Sequence, residues 1–226
     1  MCFSASASFT SGVVLTIIGI SCLEKVRHPS QHLFASIPFL FGVQQISEGI
    51  LWLMLRDPDV LSLQKTFTYL FIFFAQILWP IWVPLSILML EENENRIKYQ
   101  KIFVAAGIMV SIYLAFCILS YGVEAKIVEN HITYIQKYPS IFRGYGILFY
   151  ALATIAPAFS SSVRRIRIFG TAILISYVIS AIFYEHYVLS VWCFFSGIIS
   201  FSIYLILKEI TRSEQDKIII YQKKYF

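Results

Sequence analysis

Long apolar segments alternate with short polar connections along the chain. Seven segments come near the roughly 20 residues that a helix needs to cross a bilayer. No internal repeat and no low-complexity linker interrupts them. The pattern therefore predicts an all-α fold, one domain over residues 1–226 that forms a bundle of about seven transmembrane helices. The approximate bounds of the predicted spans are 6–23, 33–55, 65–90, 101–121, 143–160, 166–184 and 187–208.

The distribution of basic residues predicts the orientation of this bundle. If the N-terminus lies outside, most of the 18 Lys and Arg residues fall in the inside connections and the C-terminal tail, as the positive-inside rule requires. We therefore expect an outside N-terminus and a cytoplasmic C-terminus. The longest loop, 122–142, then lies outside, and its tyrosines and alternating isoleucines predict an interfacial lid or short hairpin. The connection 91–96, EENENR, is predicted to be a solvated cytoplasmic turn.

Composition supports a membrane protein. The chain is 58% hydrophobic and only 14% charged, whereas soluble domains carry about 25% charged residues. The net charge of +5 does not indicate nucleic-acid binding, because the basic residues lie in short loops and the tail. There they serve topology and anionic lipid headgroups. The expected partners are the lipid bilayer and a small-molecule or lipid ligand, and no nucleic acid.

The second apolar segment carries three polar residues near its middle. On a helix, Glu48 shares one face with Gln44 and Gln45, and Trp52 continues that face by one turn. A charged side chain inside the bilayer costs several kcal/mol, so an intramembrane acid is by default a functional-site hypothesis. One interpretation is a proton carrier or metal ligand. The other is a structural carboxyl that is protonated and hydrogen-bonded to these glutamines, to Gln76 or to a tyrosine.

The predicted topology gathers Cys2, Glu48, His186 and Cys193 towards the outer side. Without the initiator Met, the amine and thiol of Cys2 are adjacent, and the pair can chelate a metal or act as a nucleophile. Cys, His and Glu side chains bind zinc or iron, and an open fourth position would make the site catalytic, with Glu48 as base. These ligands lack the short spacings of specific metal motifs. Cys2 is alternatively a buried residue at a helix start, or the partner of Cys193 in a disulfide.

Three further features have simpler interpretations. Trp52 and Trp79 are expected in the outer and inner aromatic belts. Two prolines, in the third segment's WPIWVP, should kink or break that helix. The run 160–170, SSSVRRIRIFG, is predicted to be a positive-inside loop or, alternatively, a phosphate or lipid-headgroup site. His131, in the long outer loop, is a further candidate for the polar cluster.

Four stretches resemble an uncharacterised family of bacterial integral membrane proteins, known only as a domain of unknown function. They are MCFSASASF at 1–9, QQISEGILW at 44–52, SSVRRIRIFG at 161–170 and SVWCFFSGIIS at 190–200. The resemblance implies a multi-pass protein of the bacterial inner membrane. It also implies that Cys2, Glu48, Trp52 and Cys193 occupy motif positions. The family's second-helix motif often reads His-Gln where this chain has Gln44 and Gln45, so a mechanism that uses that histidine does not transfer.

Three functions are compatible with these patterns. The first is a metal-dependent membrane hydrolase that acts on a lipid or another interfacial substrate. The second is a proton-coupled small-solute transporter or channel in which Glu48 is a protonation switch. The third is a non-catalytic sensor or accessory subunit. Residue patterns alone leave all three open.

Overall fold

In the computed structural model, the described residues are 4–128, 131–136, 140–183 and 195–209. They form helices and one two-stranded hairpin, β1 and β2. Short 3-10 turns precede α2 and α4, and a π-helical segment, Phe73–Leu78, joins α4 to α5. The elements are α1 Ala5–Leu23, α2 His32–Ala35, α3 Ile37–Met54, α4 Leu61–Ile72, α5 Trp79–Leu90, α6 Glu94–Tyr121, β1 Val123–Val128, β2 His131–Gln136, α7 Ser140–Ser160, α8 Ile166–Phe183 and α9 196–209.

Four helical stretches are long and apolar enough to cross a membrane, and they coincide with the first four predicted segments. Helices α7 and α8 contain shorter apolar stretches, and α9 covers the second half of the seventh predicted segment. The protein is therefore mostly helical with four candidate spans, while three further crossings and the N-outside orientation stay predictions. The candidate spans are Ala5–Leu23, Pro29–Met54, Leu61–Leu90 and Glu94–Tyr121.

Helices α1 and α3 pack as an antiparallel pair through glycines. A Cβ added at Gly12 would lie 2.6 Å from Cγ1 of Ile46, and one added at Gly19 would lie 2.5 Å from the backbone nitrogen of Phe39. Small residues at such a contact let two helix backbones approach closely, which favours association in a bilayer. The close contact fixes the position of α3, and with it the position of the polar residues that α3 carries.

The third candidate span stays helical through its prolines, so it does not break there, and a π segment directly precedes the first of them. The kink stays a prediction. Within the π segment the backbone N–H of Trp79 donates to the carbonyl of Phe74. With the same five-residue spacing, the carbonyl of Ala75 would accept from the backbone nitrogen of Pro80, but that nitrogen carries no hydrogen. The hydroxyl of Tyr150 on α7 donates to the Ala75 carbonyl instead, at 2.7 Å. A side chain of another helix thus replaces the missing backbone donor.

Helices α5 and α6 meet backbone to backbone. Pro84 cannot donate to the carbonyl of Pro80, one turn earlier. That carbonyl lies against Gly107 of α6, where an added Cβ would overlap its oxygen. Only glycine fits at this contact without displacing one of the two helices.

The prediction of a short hairpin in the loop 122–142 is confirmed, while the outer position of this loop stays a prediction. Strands β1 and β2 pair antiparallel, with Val123 opposite Gln136 and Val128 opposite His131. Gly122, with φ of 72°, connects α6 to β1. This backbone conformation is one that glycine adopts readily and most other residues do not.

The Gly107 contact predicts an unequal response to two glycine substitutions. Gly107→Ala should lower the apparent melting temperature of the detergent-purified protein, with a cost of about 1–3 kcal/mol for the overpacked contact. Gly197→Ala, in α9, is the matched control because an added Cβ there meets no atom within 4 Å. Alanine favours a helix over glycine, so the control should be neutral or slightly stabilising. Equal melting temperatures for the two variants would contradict the close backbone contact between α5 and α6 at Gly107.

Candidate functional site

The polar residues of α3 lie on its buried side. Gln44 and Glu48 are 0% exposed and Gln45 is 1% exposed, in agreement with the shared face that their helical spacing predicts. A fully buried carboxyl and two buried carboxamides therefore occupy the middle of a helix of spanning length. This group of three side chains is called the α3 polar site below.

Trp79 holds one member of the α3 polar site in place. Its indole Nε1 donates to Oε1 of Gln44 at 2.8 Å, and its ring stacks on Phe41 with centroids 4.0 Å apart. The prediction that Trp79 lies in an interfacial belt is wrong, since only 5% of it is exposed. A buried indole needs an acceptor for its N–H, and Gln44 supplies it. The bond joins α5 to α3 and fixes the orientation of the Gln44 carboxamide.

The hairpin covers the C-terminal end of α3. Ile132 of β2 is fully buried in a cluster with Leu51 and Trp52. Trp52 was expected in the outer aromatic belt, but it is 1% exposed, because the hairpin shields it. The guanidinium of Arg56 lies over the Trp52 ring, 6.0 Å from its centroid. The hairpin thus packs against α3 one turn beyond Glu48, while its position as a lid at the membrane interface stays a prediction.

Gln76 connects the hairpin to the third candidate span. Its Nε2 donates to Oε1 of Gln136 at 3.0 Å, and Gln76 itself lies in the π segment. Nearby, the ring of Tyr134 stacks parallel to Phe71 with centroids 4.7 Å apart. The hairpin is therefore fastened to the π segment and α4 as well as to α3. His131 at the start of β2 is also buried, 8% exposed, as expected for a residue that faces the bundle.

Two buried polar atoms near the α3 polar site have no hydrogen-bond partner among the described residues. They are Oγ of Ser8 and Nε1 of Trp52. The ring of Phe9 lies 3.0 Å from a Cβ added at Gly49, which places Ser8 level with Glu48 along the helix pair. Buried polar atoms without partners are uncommon in folded proteins and call for an explanation, of which a bound water or ion is one. Ser8 was not singled out by the sequence, because one serine among several at a helix start carries no distinctive signal.

Three members of the predicted metal set lie outside the described residues. These are Cys2, His186 and Cys193, and their placement stays a prediction together with the zinc or iron site. Glu48 is the one member that the structure describes. Across 4–128, 131–136, 140–183 and 195–209, no group of three His, Cys, Asp or Glu side chains could hold a metal.

A small, mainly apolar cavity lies beside the α3 polar site. Its volume is about 40 Å³, and α3, the π segment, α5, α7, α8 and α9 contribute to its lining. Trp79 lines it, and Tyr150 and Thr154 are its polar side chains. A space of this size holds a few water molecules. A lipid substrate would require the surrounding helices to separate.

A second buried cluster lies at the opposite end of the bundle from the hairpin. Glu91 was predicted to be solvated, but it is 6% exposed, because the start of the predicted basic loop folds over it. Its carboxylate accepts hydrogen bonds from the Ser161 hydroxyl at 3.1 Å, the Ser162 backbone N–H at 2.8 Å and the Asn93 N–H at 3.1 Å. The Ser162 hydroxyl donates to it as well. Two serines of the run 160–162 thus provide hydrogen-bond donors to a buried carboxylate.

Two further side chains join the same connection to α6. Arg96 donates to the carbonyls of Ser160 and Ser161 at 2.7 and 3.0 Å, and Gln100 donates to the carbonyl of Pro157 at 2.9 Å. These bonds join residues more than 50 positions apart, so no local pattern in the sequence could reveal them. Together with Glu91 they fix α7 to α5 and α6.

The Glu91 cluster predicts a specific pH dependence. Burial raises the pKa of Glu91, but the hydrogen bonds from Ser162, Asn93 and Ser161 outweigh it, and the pKa lies below its usual value. The stabilisation is therefore present above the unfolded-state pKa and is lost as pH falls through the folded-state pKa. Glu91→Gln should cost about 1–3 kcal/mol at neutral pH and flatten the acid side of the melting-temperature profile. Exposed Glu92 supplies the control, and an equal profile for Glu92→Gln would contradict this role.

Comparison with known proteins gives a family and no activity. No curated protein matches the chain, and no solved structure matches it. The sequence profile of a family described as a family of unknown function (DUF6629) matches residues 1–218. This match covers almost the full length and confirms the resemblance to an uncharacterised family. The chain therefore belongs to the family of unknown function DUF6629.

Proposed function

We propose that the protein is a multi-pass protein of the bacterial inner membrane that binds a small cation at Glu48. The cation is a proton or a metal ion, and it reaches the α3 polar site from the outer side, beneath the hairpin. The complete burial of Glu48 in a helix of spanning length carries this proposal. An ionised carboxyl in a bilayer is costly, and a bound proton or metal ion removes that cost.

The surroundings of Glu48 suit a fixed binding site. The glycine contacts hold α3 against α1, and Trp79 fixes the carboxamide of Gln44. Ser8 and Trp52 each offer a buried polar atom without a partner among the described residues. Binding sites whose side chains are already held in place lose less entropy when the ligand arrives. We infer that Gln44, Gln45 and Trp52 surround the ligand and that Gln76 secures the lid.

In its leading form, the proposal is a metal-dependent membrane hydrolase. Cys2, His186 and Cys193 would complete a zinc or iron site with Glu48, and Cys2 is the alternative nucleophile. The metal would activate a water molecule for attack on a lipid or another interfacial substrate, with Glu48 as ligand or base. The chemistry of these donor side chains and their predicted position on the outer side support this form.

One observation favours a proton-coupled transporter as the second candidate. The π segment lies in a candidate span beside the site, and the Ala75 carbonyl within it is bonded to Tyr150 of another helix. Such segments are frequent at functional sites, and interrupted helices mark the substrate sites of many transporters. In this form, protonation of Glu48 would be coupled to movement of the third candidate span.

Metal content distinguishes the two forms. Mass spectrometry of the detergent-purified protein should find about one zinc or iron per chain, the stoichiometry of a single catalytic site. Cys2→Ser and Glu48→Gln should each lose the metal. Cys22→Ser is the matched control, because Cys22 is a buried cysteine at the far end of α1, and it should retain the metal. Absence of metal from well-folded wild-type protein would contradict the hydrolase form.

Proton or solute flux in liposomes tests the transporter form. Wild-type protein should support flux that Glu48→Gln abolishes, while Glu124→Gln, an exposed hairpin variant, should leave it intact. Protein with neither bound metal nor flux would contradict the proposed cation site. If that protein copurified with a partner, the accessory or sensor function would replace it.

A further inference from the structure

Away from the α3 polar site, an open groove lies between α4 and the hairpin. Its volume is about 470 Å³, within the range of about 300–1,000 Å³ that is typical of small-molecule sites. The first two turns of α4 form one wall, and the end of α6 with β1 forms the other. The lining includes Leu61, Lys65, Tyr69, Tyr121 and Lys126.

The groove carries a positive charge that no described carboxylate neutralises. Lys126 forms an ion pair with Glu124 at 3.3 Å, so those two charges largely cancel. Lys65 is exposed and has no carboxylate partner among the described residues. Its Nζ lies 5.9 Å from the centroid of the Tyr69 ring, within range of a cation–π contact. The aromatic ring holds the ammonium group beside the groove without neutralising it.

The position of the groove relative to the candidate spans suits an amphiphilic ligand. Lys65 lies one turn after Leu61, where the third candidate span begins, and the ends of a membrane span lie near the lipid headgroups. Tyr121 ends the fourth candidate span at the same groove. Phe73 follows Tyr69 by one turn, lies on the same side of the third candidate span and is 43% exposed. The groove is therefore polar where two candidate spans end, and it leads to an exposed aromatic side chain of the third span.

We propose that this groove binds the headgroup of an anionic phospholipid. The lipid phosphate would lie against the ammonium of Lys65, with the tyrosines at the rim and an acyl chain along Phe73. Each basic residue near a membrane surface favours anionic over zwitterionic lipid, so the unneutralised charge of Lys65 selects the headgroup. This site is separate from Glu48 and does not depend on the cation proposal.

The test compares lipids on the full chain purified in dodecyl maltoside. Phosphatidylglycerol and phosphatidylcholine with the same acyl chains are added separately, and inorganic phosphate is added in a third series. Native mass spectrometry counts bound lipid, and the melting temperature reports stabilisation. Phosphatidylglycerol should bind more tightly than phosphatidylcholine and should raise the melting temperature more than either of the other additions.

A pair of lysine variants assigns the preference to the groove. Lys65→Gln should weaken phosphatidylglycerol binding about fivefold, and Lys65→Arg should retain it. Lys98→Gln is the matched control, since Lys98 is an exposed lysine in the first turns of α6, at its opposite end from Tyr121. It should leave the affinity unchanged.

Three results would overturn the proposal. Equal binding of the two lipids to wild-type protein would remove the selectivity. An equal loss of affinity in Lys65→Gln and Lys98→Gln would reduce the effect to general surface charge. Stabilisation by inorganic phosphate as large as that by phosphatidylglycerol would assign the groove to a free anion. If Lys65→Gln fails to fold, a loss of the lipid preference in Lys65→Arg would overturn the proposal equally.

Discussion

The hydrocarbon core of a bilayer offers no water to polar groups, so each buried donor and acceptor must find its partner within the protein. This constraint explains several contacts at once. The carbonyl of Ala75, which has no backbone donor because it faces a proline, accepts a hydrogen bond from Tyr150. The indole N–H of Trp79 donates to Gln44. Between two candidate spans, at the end of the bundle away from the hairpin, the buried carboxylate of Glu91 accepts hydrogen bonds from Ser161 and Ser162, since a buried polar group needs a partner there as well. The first two contacts join different helical segments, and the third joins the connections that follow α5 and α7. Hydrogen bonding of buried polar groups therefore also determines how the helices assemble.

Close backbone packing also fixes the position of the α3 polar site. Glycines on α1 bring its backbone against α3, and the hairpin closes over Leu51 and Trp52. Glu48 is consequently held on a closely packed helix pair with polar neighbours on its own helix face. A charged acid in such a place is expensive to retain unless it is paired, hydrogen-bonded or protonated. The structure therefore directs attention to the protonation and binding state of Glu48.

The spacing of apolar and polar residues, together with the composition, predicted the features of the fold that depend on residues close together in the sequence. The helices of spanning length, the hairpin after α6 and the buried face of α3 all follow from apolar runs, alternation or helical spacing. Features that depend on distant contacts were not predicted. Tryptophan is typical of interfacial belts, yet Trp52 and Trp79 are both buried. Trp52 packs against the hairpin, and Trp79 donates a hydrogen bond to Gln44, which is distant in sequence. Glu91 lies in a polar run, and only the fold brings Ser161 and Ser162 to it.

Infrared difference spectroscopy of the protein in membranes would test the role of Glu48 most directly. Spectra would be recorded across a pH series and with added zinc, for wild-type protein and for Glu48→Gln. We predict a carboxyl band in the wild type that responds to external pH or to zinc and is missing in Glu48→Gln. Identical responses in the two proteins would show that Glu48 neither exchanges a proton nor binds a metal, and the cation site would be refuted.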